Sequence, residues 1–239
     1  MMRLFTAVVL LSLLGGVDTG RCGDRAASAG TGSITGRVVV QGKIPPPVPY
    51  TPTKDVQVCG AGTHTSDEVV VGANNGIRYV VVSLVSVSGA SPPAARASVT
   101  LDQRGCRFQP HVVLIPAGAT LEILNSDGIL HNIRTTSRRN PPFNKAQPKF
   151  VKKLTHVFAA APEKIKVQCD AHSWMSAWIV VQDHPYYAVT DEQGRFTLTG
   201  VPAGAYTVEY WHERLGVQTA AVRVPGGETV TADCIFNPE

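Results

Sequence analysis

From Ser33 onward the chain is written in short apolar runs broken by turns. β-Branched and aliphatic residues gather at 34–40, 68–71, 77–87, 97–101, 111–115, 120–124, 164–167 and 178–181. Turn formers separate them: Asn74-Asn75-Gly76, Pro92-Pro93, Pro116-Ala117-Gly118 and Asp127-Gly128. Such runs, bounded by Gly, Pro and Asn, read as strands. No long stretch combines helical periodicity with caps. The pattern predicts an all-β chain, because many short strands spaced by turns close into sandwiches or barrels. Residues 36–47 end in a proline run, which fits an edge strand leaving its sheet. The polar, proline-containing segment 137–148 reads as a long surface loop.

The N-terminus breaks this rhythm. Met1 to Arg3 carry positive charge, and residues 4–17 are almost continuously apolar or small until Asp18. A charged start and an apolar run of about 7–15 residues make a secretory signal. A spanning helix needs about 20 apolar residues. The expectation is a cleaved signal over 1–20, a linker over 21–32, and a mature protein that is periplasmic or secreted and does not span the membrane; an uncleaved anchor and a lipoprotein at Cys22, which Arg21 suits poorly, are the alternatives. Disulfides persist in such compartments. Cys59 and Cys106 both stand in turn-like positions beside glycine, and a bridge between them is expected; Cys22 and Cys234 are left open.

Composition narrows the class. Charged residues are 17% and apolar ones 44% of 239, enough for a core and too little charge for a disordered chain. The net charge of +4 is mild and partly N-terminal, so no nucleic-acid partner is expected. No P-loop, dinucleotide fingerprint, Gly-x-Ser-x-Gly, Cys-x-x-Cys or Cys-x-x-Cys-His is present.

Two segments carry chemistry. Cys169-Asp170-Ala171-His172-Ser173-Trp174-Met175 follows an expected strand, and so does Asn125-Ser126-Asp127-Gly128-Ile129-Leu130-His131-Asn132. A thiolate, two imidazoles and a thioether are the donors of a two-His, one-Cys copper site with a weak axial Met. Each residue alone reads equally as core or structural. Zinc is the competing metal, and Met suits it poorly. His64, His111, His156, His184 and His212 form no His-x-His pair that would mark a second copper centre; His111 is the most tempting extra donor.

Phe108, Pro110, Pro116, Gly118, Leu121, Asn125, Asp127, His131, Asn132, Pro162, Glu163 and the Cys169–His172–Met175 loop together resemble a cupredoxin of the plastocyanin and amicyanin type. The resemblance implies copper held by His131, Cys169, His172 and, axially, Met175, with the backbone of Asn132 donating a hydrogen bond to the Cys169 sulfur. It also implies that the His172 ring edge reaches the surface as an electron port. Trp174, Trp178 and Pro141-Pro142-Phe143 are then candidates for an apolar docking patch, Trp178 being read more readily as core.

At the C-terminus, Thr190-Asp191-Glu192-Gln193-Gly194-Arg195-Phe196 and Val201-Pro202-Ala203-Gly204-Ala205-Tyr206 resemble a carboxypeptidase regulatory-like, transthyretin-like sandwich. Its usual Gly-x-Val first strand is missing locally, and residues 34–40 have that look. The expected organisation is a cupredoxin-like Greek-key sandwich over 33–182, with an N-terminal extension, and a small transthyretin-like β module over 183–239. The function implied is single-electron transfer to a redox partner protein, without enzymatic activity. The alternative is a module that holds or delivers copper without carrying electrons.

Overall fold

The structure is a computed structural model that describes Met1, residues 30–87, Ala90 and residues 98–238. The expected signal at 1–20, most of the linker, and Cys22 lie outside these residues. Among the described residues no helix is long and apolar enough to cross a membrane. The fold is all-β, as the alternating pattern predicts, and its strands divide between two sandwiches.

The first sandwich is a contiguous piece of chain. One sheet runs β10 (Asn144–Gln147), β9 (His131–Thr136), β12 (Glu163–Gln168), β13 (Ser176–Gln182), β7 (Val112–Pro116). The other runs β11 (Lys153–Val157), β8 (Thr120–Asn125), β5 (Ser98–Gln103), β6 (Phe108–Gln109). In β8, Leu121, Ile123 and Asn125 point inward and the residues between them outward, the period of a strand with one covered face. Leu121 and Ile123 meet Ile133, Ile165, Val167 and Ile179 from the opposite sheet in one buried cluster that also takes in Cys169 and Met175. Cys169 and Met175 thus lie at the edge of a continuous apolar core.

The second sandwich is assembled from both ends. One sheet centres on β1 (Thr31–Val40), flanked by β15 (Arg195–Pro202) and, in parallel, by β18 (Thr229–Thr231) and β19 (Cys234–Phe236). The other runs β14 (Tyr187–Val189), β4 (Val81–Val85), β16 (Gly204–His212), β17 (Gly216–Val224). β1, whose residues 34–40 resemble the missing first strand, and β4 both pair with the C-terminal strands. The C-terminal hairpins alone would leave a sheet face bare. β1 and β4 supply Ile34, Val38, Val82 and Leu84, which pack on Phe196, Leu198, Val208 and Tyr210. Gly36 permits the close approach of the chains, for a Cβ there would stand 2.3 Å from the Ala232 carbonyl oxygen.

Continuous rather than alternating burial marks the seam between the sandwiches. β4 is buried at Val81, Val82, Ser83 and Leu84, and β13 at Ile179, Val180, Val181 and Gln182. Strands with both faces covered lose the period of two. Val81, Val112 and Val180 form the seam's own small core, with Trp178 and Trp211 packed against it.

A strap spans the residues between β1 and β4. β2 (Pro49–Tyr50) pairs with β3 (His64–Thr65), and between them lies the single-turn helix α1 (Val56–Cys59). A disulfide joins Cys59 to Cys106, 47 residues apart, with Cα atoms separated by 5.0 Å. It pins the strap to the β5–β6 end of the first sandwich.

Candidate metal centre

His131 opens β9. The turn before it is held by the buried Asn125 amide, which donates to the Ile129 carbonyl at 2.8 Å and the Gln147 carbonyl at 2.9 Å. Cys169 follows the last residue of β12, and the chain then curls tightly back into β13. The Cys169 N–H bonds the Met175 carbonyl at 3.2 Å, and the Met175 N–H bonds the His172 carbonyl at 2.9 Å. The spacing of Cys, His and Met thus folds into one small loop at the sandwich end.

The side chains converge. His131 Nδ1 and His172 Nδ1 lie 3.0 Å apart, and each is 3.9 Å from Cys169 Sγ. All three residues are buried. Each ring presents its other nitrogen to a carboxylate: His131 Nε2 to Asp127 at 2.9 Å, His172 Nε2 to Asp55 at 2.9 Å. A ring that donates its Nε2 proton to a carboxylate has a bare lone pair on Nδ1. With both rings neutral, two such lone pairs face each other beside a sulfur; in the metal-free protein a proton on His131 fills the gap, and a bound cation would take its place. The donor chemistry fits a soft or borderline metal. Met175 is buried in the same cluster, its backbone closing the loop.

Asn132 ties the donors together. Its Oδ1 accepts from the Asp170 N–H at 2.6 Å, the Ala171 N–H at 3.2 Å and the Cys169 thiol at 3.3 Å. The backbone amides of Asn132 and His172 favour the Cys169 thiolate. Burial pushes the Cys169 thiol up, but the His131 hydrogen bond and these amides outweigh it and hold the thiol below its usual range. Burial likewise opposes charge on His131, yet the hydrogen bonds to Asp127 and Cys169 raise it to about 9. His172 moves the other way, lowered first by burial and further by the His131 charge, against the pull of Asp55.

Two expectations change here. The ring edge of His172 does not reach the surface: the residue is 1% exposed and Asp55 covers its Nε2. The reason is the strap, which places Asp55 over the ring in a left-handed conformation (φ 50°, ψ 37°) just before α1. His111 takes no place beside these donors and pairs with Glu213 across the seam, its ring against Tyr79.

The aromatic candidates also disperse. Trp174 lies parallel to Tyr50 of the strap, its Nε1 donating to the Cys106 carbonyl at 3.2 Å. Trp178 packs edge-on against Trp211 in the seam, and Phe143 packs against His156 and the first core. Asp55 escaped the sequence reading because nothing local to the strap marks it. Asp127 stood in the motif without a role, and its spacing of four before His131 was the available signal.

No curated protein matches the chain by sequence. A family model described as polysaccharide lyase family 4, domain II, matches residues 156–232, about a third of the chain. Among solved structures the chain is similar to a copper-containing nitrite reductase from Thermus scotoductus, at 25% identity and a TM-score of 0.32 over 41% of this chain. It spans only 25% of that enzyme's length. It is similar to a point mutant of amicyanin in the Cu(I) form, at 18% identity and a TM-score of 0.33, covering 42% of this chain and 98% of that one. A purple cupredoxin from Nitrosopumilus maritimus is similar at 21% identity and a TM-score of 0.30, covering 35% of this chain and 99% of that one.

Proposed function

We propose that this chain is a copper protein that carries single electrons, with copper held by His131, Cys169 and His172 and axially by Met175. The carrying observation is the convergence of His131 Nδ1 and His172 Nδ1, 3.0 Å apart and each 3.9 Å from Cys169 Sγ, in a buried pocket. Bound there, copper would supply a one-electron couple between Cu(I) and Cu(II). The protein's part is to keep the donors still while the charge changes. Asp127 and Asp55 fix both ring tautomers, Asn132 fixes the loop and bonds the sulfur, and the apolar core keeps water out. Among the described residues no further nucleophile–base pair adjoins these donors to activate a substrate, which favours a carrier over an enzyme.

The same reading places the chain outside the cytoplasm after removal of residues 1–20, with a redox protein as partner. The Cys59–Cys106 bridge supports an oxidising compartment. The second sandwich is read as a non-catalytic accessory module of the carboxypeptidase regulatory-like kind. A second reading, a module that holds or delivers copper, calls for an open site with an accessible ligand, and the burial of His131, Cys169, His172 and Met175 favours the carrier instead.

The test is an absorption spectrum of the Cu(II)-loaded protein. An intense visible thiolate-to-copper band, lost in Cys169→Ser, is expected. A colourless complex that cannot be reduced and reoxidised would sink the electron-transfer reading.

A further inference from the structure

The disulfide lies against the donor pocket. Among the described residues, Cys59, Cys106 and His172 have ligand atoms all within 4.8 Å of one another, and so do Cys106, Asp127 and His131. Both sulfurs therefore border an imidazole of the deep pocket. All three members of the first set are buried. A shallow groove lined by Tyr50, Val58, Cys59, His64, Gly105 and Arg107 opens beside the bridge.

A bridged sulfur is a poor metal donor, and a thiolate is a strong one. A small dithiol can convert the first into the second. It gives two electrons and two protons to the S–S bond and leaves as its own disulfide, and Cys59 and Cys106 become thiols. Each loses its proton on binding a metal. Metal–sulfur bonds of about 2.3 Å and metal–nitrogen bonds of about 2.0 Å sum to about 4.3 Å, comparable with the 4.8 Å within which the three ligand atoms lie. Two thiolates and one imidazole make a soft donor set suited to Cu(I).

We propose that Cys59 and Cys106, once their bridge is reduced, form with His172 a Cu(I) capture site beside the deep donor set. The strap is built for coupled release. The Asp55 carbonyl accepts the N–H groups of Val58 and Cys59, and the Asp55 carboxylate holds His172. One residue thus links the helix carrying Cys59 to the ring shared by both donor sets. The inference rests on the copper reading for its choice of metal, and the test keeps the two apart.

The test uses the full chain with Cys169→Ser, which lacks the deep thiolate, and Cu(I) in competition with a chromophoric chelator. Oxidised protein, left with only His131, His172 and Met175 as donors, should yield its Cu(I) to the chelator. Protein reduced with a dithiol and freed of it anaerobically should retain one equivalent, with two sulfur neighbours by X-ray absorption. Adding Cys59→Ser should abolish retention. Equal retention before and after reduction, retention that survives Cys59→Ser, or uptake of Zn(II) with refusal of Cu(I) would each overturn the proposal. If Cys169→Ser does not fold, peptide mapping of the reduced natural sequence decides: Cu(I) must shield Cys59 and Cys106 from alkylation, and free alkylation of both refutes it. The visible band of the oxidised natural sequence reports on the deep site independently.

Discussion

Glu213, at the turn between β16 and β17, reaches across the seam to His111 on the first sandwich. Its other carboxylate oxygen accepts from Trp178 Nε1 at 2.8 Å. Glu213 and His111 are both nearly buried. Burial pushes the Glu213 carboxyl up, but the His111 and Trp178 hydrogen bonds hold it below its usual range. Removing one partner leaves buried donors unpaired, at about 3 kcal/mol. Glu213→Ala should lower the urea midpoint by a corresponding amount while leaving the metal-bound spectrum unchanged. An unaltered midpoint would show that the pair contributes nothing to the seam.

A neighbouring ring gives a pH dependence of known sign. His212 is 1% exposed, and burial lowers it to about 4 from 6.5. The unfolded chain therefore takes up this proton first as pH falls below 6.5, and stability declines until the folded ring protonates near 4. The loss is on the order of 3 kcal/mol at about 1.4 kcal/mol per pH unit. His131 in the metal-free protein works the opposite way: its contribution is full below pH 6.5 and is lost as pH rises through about 9. Denaturant titrations from about pH 7 down to about 4 should show the first effect, and His212→Asn should flatten it.

Glu163 organises the loop after β9. It accepts hydrogen bonds from the N–H groups of Arg138, Arg139 and Asn140, from Ser137 Oγ and from Asn140 Nδ2. Burial opposes the charge, but the two arginine amides and the Asn140 and Ser137 side chains lower the carboxyl to about 2. Its contribution is present above pH 4.5 and is lost as pH falls through about 2. Glu163→Ala should speed amide hydrogen exchange at Arg138, Arg139 and Asn140. Unchanged protection would assign the loop's order to something else.

Met175→Leu should retain copper and raise its potential. Removing a weak thioether donor destabilises Cu(II) more than Cu(I). Cyclic voltammetry of the two proteins compares them directly. An unchanged potential would mean that Met175 is not the axial donor.

Strands that bury an aliphatic stripe were legible in the sequence; those that do not were lost. Residues 120–124 and 164–167 give β8 and β12 almost residue for residue. β9, His-Asn-Ile-Arg-Thr-Thr, has one aliphatic residue, and β10, Asn-Lys-Ala-Gln, has only an alanine among polar residues. β9 takes its place by backbone pairing with β12, which carries the hydrophobic signal, and β10 takes its place by pairing with β9. β10 consequently lies inside the stretch that reads as a surface loop. The candidate donors at 131, 169, 172 and 175 were visible because their chemistry is rare at that spacing. The carboxylate over His172 was not, because Asp55 reaches it from 117 residues away through a fold that no local pattern encodes.

The partners of β1 bear on the order in which the molecule can be made. Arg37 lies opposite Arg195, and Val38 opposite Cys234. The strands of the first sandwich, β5 through β13, all come from residues 98–182. On a growing chain they can close before residue 195 exists, whereas β1, made earlier, has no edge to join until the last strands emerge. Closing so long a loop is slow. The half of the molecule that starts first therefore finishes last, and any truncation that removes β15 and the strands after it strands its opening segment.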